Sequence, residues 1–310
     1  MPLPIYHCEH EPEHTARASA LPEPHGFPPR AVLGARNIRE ALKEIGRGPR
    51  KDLGQHFLAQ PCIAERMAKL AGVEGHHVVE IGPGLGVLTQ FLLGARRLWL
   101  VEVDPLLARR LEDLLGSHAH VTVQRADALA LDWPDFLAAN GPVRVVGNLP
   151  YNIATPLIET WLGLPELVDS IVVMVQHEVG ERLRARPGTR AYGALSVLTQ
   201  AVARVRKGFS VAPGAFVPPP KVRSQVVVLE PDPSLRARVN DWGWFQRVVR
   251  TVFAQRRKQI RNSLLQLTAD PEAALHRLAL DPTIRPENLS VDDFLRLSAV
   301  LSAHAGATRG

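Results

Sequence analysis

Between residues 76 and 176 short apolar runs return at regular intervals, each followed by an amphipathic stretch. The runs are "HHVVEIG" (76–82), "RLWLVEVD" (97–104), "HVTVQRAD" (120–127), "PVRVVGN" (142–148) and "SIVVMVQ" (170–176). They are nearly continuous rather than alternating, the pattern of strands covered on both faces. "GVLTQFLLGA", "PLLARRLEDLLG", a stretch reaching about residue 163, and "EVGERLRA" read as the intervening helices, the second with proline in its first turn. Strand–helix alternation of this kind builds a parallel α/β sheet. A helix is expected at 191–204, after which "RVRKGFSV" and "SQVVVLEP" close the sheet as an antiparallel pair. Residues 242–310 carry only helical patterning. The division expected is a tail at 1–30, an α/β domain at 31–235 and a small all-helical domain at 236–310.

The 310 residues are enough to bury a real core, and 45% hydrophobic with 22% charged content reads as globular. No apolar run is long enough to span a bilayer, so no membrane partner is expected. The first 30 residues hold four glutamates against two arginines and no apolar signal core, and read as a disordered tail. His7, Cys8, His10 and His14 have loose metal-like spacing, but no second ligand group follows, and no metal is expected. Cys8 and Cys62, the only cysteines, fit a reduced, cytoplasmic protein better than a disulfide framework. The net charge of +6 permits a polyanionic partner without requiring one.

Ligands of open parallel sheets bind outside the carboxyl ends of the strands, and here those ends are polar. The first ends in "EIGPGLG": Gly82, Gly84 and Gly86 allow a tight turn and close backbone approach, behind Glu80. The spacing is G-x-G-x-G, which differs from the dinucleotide G-x-G-x-x-G and weighs against a dehydrogenase, and there is no G-x-x-x-x-G-K-[ST] for a phosphate chain. The second strand ends in Glu102, about twenty residues on, which either accepts both hydroxyls of a ribose or is a solvated acid. Asp104 is the expected cap of the following helix. Asp127, at the third strand end, either accepts from an adenine amine or closes a turn. The fourth strand runs into "GNLPYN" (147–152). An adenine N6 amine is a poor nucleophile, because its lone pair is delocalised into the ring. Asn148 Oδ1 and the Leu149 carbonyl are placed to accept its two N–H bonds and favour charge building on it. Tyr151 supplies a ring on which a flipped-out base stacks, and Pro150 stiffens the turn.

"VVEIGPGLGVLT", "VEVD", "RADAL" and "GNLPYNIATPL", in this order, resemble S-adenosylmethionine-dependent methyltransferases acting on adenine N6. "RKDLGQHFL", "YGALSVLTQ", "FVPPPKVRSQVV" and "VFAQRRKQIRNSL" narrow the resemblance to the KsgA/RsmA family of small-subunit ribosomal RNA adenine dimethyltransferases, from about Arg36 to near Leu301. The resemblance implies a Rossmann-like sheet of seven strands, the last antiparallel, with a helical C-terminal domain. It implies that His56 and Leu58 cover the cofactor, that Gly82 and Gly84 lie against it, that Glu102 holds its ribose and Asp127 its adenine, and that Asn148 reaches both cofactor and target base. The implied reaction is direct in-line transfer, performed twice on each of two adjacent adenosines of 16S rRNA, with the proton lost to water. The protein is expected to act as a monomer.

Phe216, in "AFVPPPKV", either walls the target-base pocket or is a core aromatic. Lys221 and Arg223 flank that turn and are candidates to meet phosphate. The stronger RNA candidate is "WFQRVVRTVFAQRRKQIRNSLLQL", with six basic residues and no acid: Arg247, Arg250, Arg256, Arg257, Lys258 and Arg261. Arg247, Arg250, Arg257 and Arg261 are expected on one helical face and to track a phosphate backbone. Two alternatives remain open: a large-subunit rRNA adenine dimethyltransferase of the macrolide-resistance type, and a non-catalytic RNA-binding assembly factor that keeps the fold.

Overall fold

The structure is a computed structural model that describes residues 35–255 and 258–307; the tail expected at 1–30, with His7, Cys8, His10 and His14, lies outside the described residues. Nine strands are formed among them: β1 (Phe57–Leu58), β2 (His77–Ile81), β3 (Arg97–Glu102), β4 (Val121–Arg125), β5 (Val143–Asn148), β6 (Val168–Gln176), β7 (Ala203–Val211), β8 (Phe216–Val217) and β9 (Ser224–Pro231). Seven of them make one sheet in the order β4-β3-β2-β5-β6-β9-β7, while β1 and β8 pair separately. β2 runs parallel to both β3 and β5, β3 to β4, and β5 to β6, whereas β9 is antiparallel to β6. The chain order reverses across β2, so the crevice between β3, β2 and β5 is the switch point at which an open sheet accepts a ligand.

The apolar runs form these strands because both faces of the sheet are covered. Val78, Val79, Ile81, Leu98, Leu100, Val145, Val146, Val172 and Val173 are no more than 1% exposed. On one face Val78, Leu98, Leu100 and Val146 join the helix at Pro61–Ala71 in a single core cluster, to which that helix adds Ile63, Met67 and Ala71.

The expected helix "GVLTQFLLGA" is replaced by turns and one 3₁₀ segment, Thr89–Phe91. Most hydrogen bonds here close over three residues, Gly86 N to Pro83 O, Phe91 N to Leu88 O and Leu92 N to Thr89 O, and one, Gln90 N to Gly86 O, over four; the winding is mainly tighter than α-helical. Leu85, Val87, Leu88, Thr89, Gln90 and Leu92 are all buried; with so little of the segment facing water, packing and not helical periodicity decides its path. The helix expected at 191–204 is also shorter, running Ala194–Gln200, because β7 already begins at Ala203.

The chain forms two compact units that interleave along the sequence. The first holds the described residues up to Ile158 with Glu166–His177 and Lys207–Leu229; the second holds Glu159–Pro165, Glu178–Arg206 and the described residues from Glu230. In the second, helices Trp242–Ala254, Ile260–Leu264, Pro271–Arg277 and Val291–Ala307 gather Phe245, Val249, Val252, Ile260, Leu264, Phe294 and Leu301 into a core. The basic segment is therefore not one continuous helix. It leaves helical geometry at Gln255 (φ −118°, ψ 45°), and Ile260 N donates to Ile284 O at 2.9 Å, which draws the chain aside.

Candidate active site

Within the first unit a cleft opens at the carboxyl ends of β2, β3 and β5, lined by Gly82, Gly84, Glu102, Asp127, Asn148 and Tyr151. His56 and Leu58 line it as well. Every residue assigned from the sequence to the cofactor or the reacting amine thus borders one cavity.

The glycine turn is shaped by backbone conformation and by crowding. Gly82 and Gly84 have φ of 63° and 59°, in the left-handed region that favours glycine. A Cβ on Gly84 would stand 3.2 Å from the Phe57 ring, which packs directly on the turn. Gly84 N donates to Glu102 Oε2 at 3.0 Å, and Asp104 N donates to Oε1 at 2.9 Å. Glu102 is thereby fixed across the mouth of the turn, only 4% exposed. Burial pushes its carboxyl up to about 7, opposed by the backbone N–H donors and the Arg47 charge. Each carboxylate oxygen accepts more than one hydrogen bond, so Glu102 keeps acceptor capacity for a diol. Behind it, Glu80 is fully buried and pushed up to about 8 by burial; Thr89 Oγ1 donates to it at 2.7 Å.

Asp104 caps the helix Pro105–Leu115 through Leu106 N and Leu107 N. It also accepts from Gln55 Nε2 at 3.1 Å and pairs with Arg47. Those two partners tie the segment before β1 to the end of β3. The sequence reading missed both, since nothing local in "GRGPRKDLGQ" marks a partner about fifty residues on. Asp127 is exposed, and its Oδ1 accepts Leu129 N at 2.9 Å in a turn.

The turn after β5 is held from below and from the side. Gly147 has no room for a side chain, since a Cβ would lie 2.8 Å from Ile81 O. Leu149 is 1% exposed and its N–H donates to Met174 O at 3.1 Å. Asn148 Nδ2 donates to His56 O at 2.9 Å, which leaves Oδ1 as the acceptor end of the amide. Tyr151 Oη and Ser224 Oγ are 2.9 Å apart. The His56 ring lies against Tyr151, centroids 5.8 Å apart and planes 29° from parallel, with Nδ1 bonded to Pro218 O at 2.8 Å. The imidazole of His56 thus faces Tyr151, while its backbone carbonyl orients Asn148. The pairing of β1 with β8, Phe57 opposite Val217 and Leu58 opposite Phe216, makes this possible by joining "GQHFL" to "FVPPPK".

Phe216 does not line the cleft. It is 3% exposed within the core cluster, opposite Leu58 in the β1–β8 pairing. Lys221 and Arg223 are exposed between β8 and β9. In the second unit Arg247, Arg250, Lys258 and Arg261 are exposed, while Arg256 and Arg257 lie outside the described residues. The basic segment is not uncompensated: Arg250 pairs with Glu159, and Arg261 approaches Glu272 at 3.9 Å. Arg247 lies over the Trp244 ring at 5.8 Å. Among the described residues no group of His, Cys, Asp and Glu is placed to hold a metal, and no helix is long and apolar enough to cross a membrane.

Comparison with known proteins places this geometry among others. A family model described as ribosomal RNA adenine dimethylase matches residues 47–303. Ribosomal RNA small subunit methyltransferase A of Idiomarina loihiensis is 41% identical over 263 residues, covering 84% of this chain and 90% of the relative. The protein of that name from Pseudomonas aeruginosa is also 41% identical, over 83% of this chain and 96% of its own length. Among solved structures, a dimethyladenosine transferase from Plasmodium falciparum superposes with a TM-score of 0.66 at 25% identity, covering 78% of this chain and 96% of that one. The 23S rRNA methyltransferase ErmE superposes with a TM-score of 0.58 at 26% identity, over 79% and 99% of the two chains.

Proposed function

Because the chain belongs to the ribosomal RNA adenine dimethylase family, we propose that it transfers methyl groups from S-adenosylmethionine to N6 of two adjacent adenosines near the 3′ end of 16S rRNA, in the small ribosomal subunit. The observation that carries this reading is the convergence of the Asn148–Tyr151 turn, Glu102 and the Gly82–Gly84 turn on one cleft. The relatives named for the small subunit, at 41% identity, favour that substrate over the large subunit, whose methyltransferase ErmE stands at 26%.

The residues present suit the cofactor. The glycine turn lets backbone approach closely, and Glu102, fixed by two backbone N–H donors, suits the two hydroxyls of a ribose. Asp127 would meet the adenine amine, and Leu58 and the His56 backbone would close the site. When bound, S-adenosylmethionine supplies an electrophilic methyl group on a sulfonium centre.

The chain's own part is to present the nucleophile. The Asn148 amide, turned by the His56 carbonyl, aims Oδ1 at the target N6, and the Leu149 carbonyl accepts the second N–H. As charge builds on the amine, those two acceptors stabilise it more than they stabilise the resting base. Tyr151 holds the flipped base by stacking and tolerates the developing positive charge on its ring face. The resulting cationic amine loses its proton to water, so the site needs no dedicated base. Lys221, Arg223 and the exposed basic residues of 236–310, Arg247 and Lys258 foremost, hold RNA through its backbone. The protein acts as a monomer in the cytoplasm.

The test is incorporation of labelled methyl groups into unmethylated small subunits, large subunits and naked RNA, with the product nucleoside identified. N6,N6-dimethyladenosine in small subunits is the expected result. Label in large-subunit RNA alone would replace the substrate, and cofactor binding without transfer to any of the three would point to the assembly-factor reading.

A further inference from the structure

Tyr151 sits in a turn, yet both its place and its plane are set by residues outside that turn. Ser224 opens β9, opposite Gln176 of β6, and is 0% exposed. Its neighbour Arg223 prolongs the ladder by accepting His177 N at 2.9 Å. Ser224 is therefore a fixed point on the sheet, and its Oγ lies 2.9 Å from Tyr151 Oη. A phenol oxygen lies on the axis about which the ring turns. A bond to it pins where the ring stands but leaves the plane free. The plane is given by His56, stacked at 5.8 Å and itself anchored to Pro218 O.

We propose that Ser224 is a positioning residue for methyl transfer, holding Tyr151 so that the target adenine stacks with N6 at Asn148 Oδ1. This deepens the functional reading above and rests on it. Burial keeps the phenol protonated by raising its pKa, so the hydroxyl pair persists across the working range. Removing the Ser224 hydroxyl leaves the half-buried phenol without this anchor, and a small misplacement of a stacking ring is costly to transfer.

The experiment is a double-mutant cycle with Ser224→Ala, Tyr151→Phe and the pair, on small subunits, reading kcat, KM and cofactor affinity separately. Each single change is expected to lower kcat roughly tenfold with cofactor affinity unchanged, and the pair to fall no further, since both remove one bond. Ser224→Thr, which keeps the hydroxyl, is expected to recover most of the rate. An unchanged kcat in Ser224→Ala, losses that multiply in the pair, or a cofactor affinity that falls in step would each overturn the proposal. Absence of transfer by the wild-type protein on every substrate would instead overturn the functional reading, and the proposal with it.

Discussion

Asn148 is the residue on which the proposed chemistry turns. Its Nδ2 is committed to the His56 carbonyl, so Oδ1 is oriented before substrate arrives. Asn148→Ala is expected to lower transfer by at least about a hundredfold. The thermal shift with cofactor and the affinity for small subunits should stay within a few-fold of wild type. Loss of RNA binding in parallel would show that the residue supports the fold and not the reaction. Glu102 makes a prediction of a different kind. Its folded pKa of about 7 and that of Glu80 at about 8 lie above the usual carboxylate range, because burial penalises the charged form. A raised acid binds more protons folded than unfolded, so stability falls as pH rises through the interval from about 5 to about 8. Without cofactor, the melting temperature should decline over that interval, and Glu102→Gln should flatten the decline. A slope that Glu102→Gln leaves intact would assign it to other groups.

At the scale of elements, the strand ends are what the sequence makes legible. Continuous apolar runs predict buried parallel strands, and residues at the ends of such strands share a crevice by topology alone; Gly82, Glu102 and Asn148 are found there for that reason. Side-chain partners from distant segments were not legible. Nothing in "GQHFL" says that its histidine will meet Pro218, or that Arg47 and Gln55 will meet Asp104; those contacts follow from the β1–β8 pairing, two residues long and without a periodic signal. Two periodicity readings failed because surroundings overrode them. The segment after Gly86 is buried almost throughout, and the basic segment leaves helical geometry at Gln255, with Ile260 N bonded to Ile284 O. The turn itself can be tested. Gly84→Ala adds a Cβ 3.2 Å from the Phe57 ring at φ 59°. It is expected to cost about 1–2 kcal/mol of stability and to weaken cofactor binding more than tenfold, read by denaturation and by calorimetric titration. Wild-type affinity in this variant would mean that the cofactor does not approach the turn.

For the whole molecule, the question is how a basic surface meets a large RNA. Arg247, Arg250, Lys258 and Arg261 are all exposed, and Arg250 and Arg261 have acidic neighbours. The joint variant Arg247→Glu, Lys258→Glu should therefore weaken binding to small subunits and flatten the dependence of log K on log salt, with cofactor affinity unchanged. Binding that weakens at an unaltered salt slope would move the phosphate contacts elsewhere. The central claim, that this cleft dimethylates adjacent adenosines of small-subunit RNA, is tested most directly in a cell lacking the gene. Mass spectrometry of the 3′ segment of its 16S rRNA should find two adjacent unmodified adenosines. The wild-type gene should restore N6,N6-dimethyladenosine at both, and the Asn148→Ala gene should restore neither. Dimethyladenosine persisting at those positions in the cell without the gene would contradict the assignment.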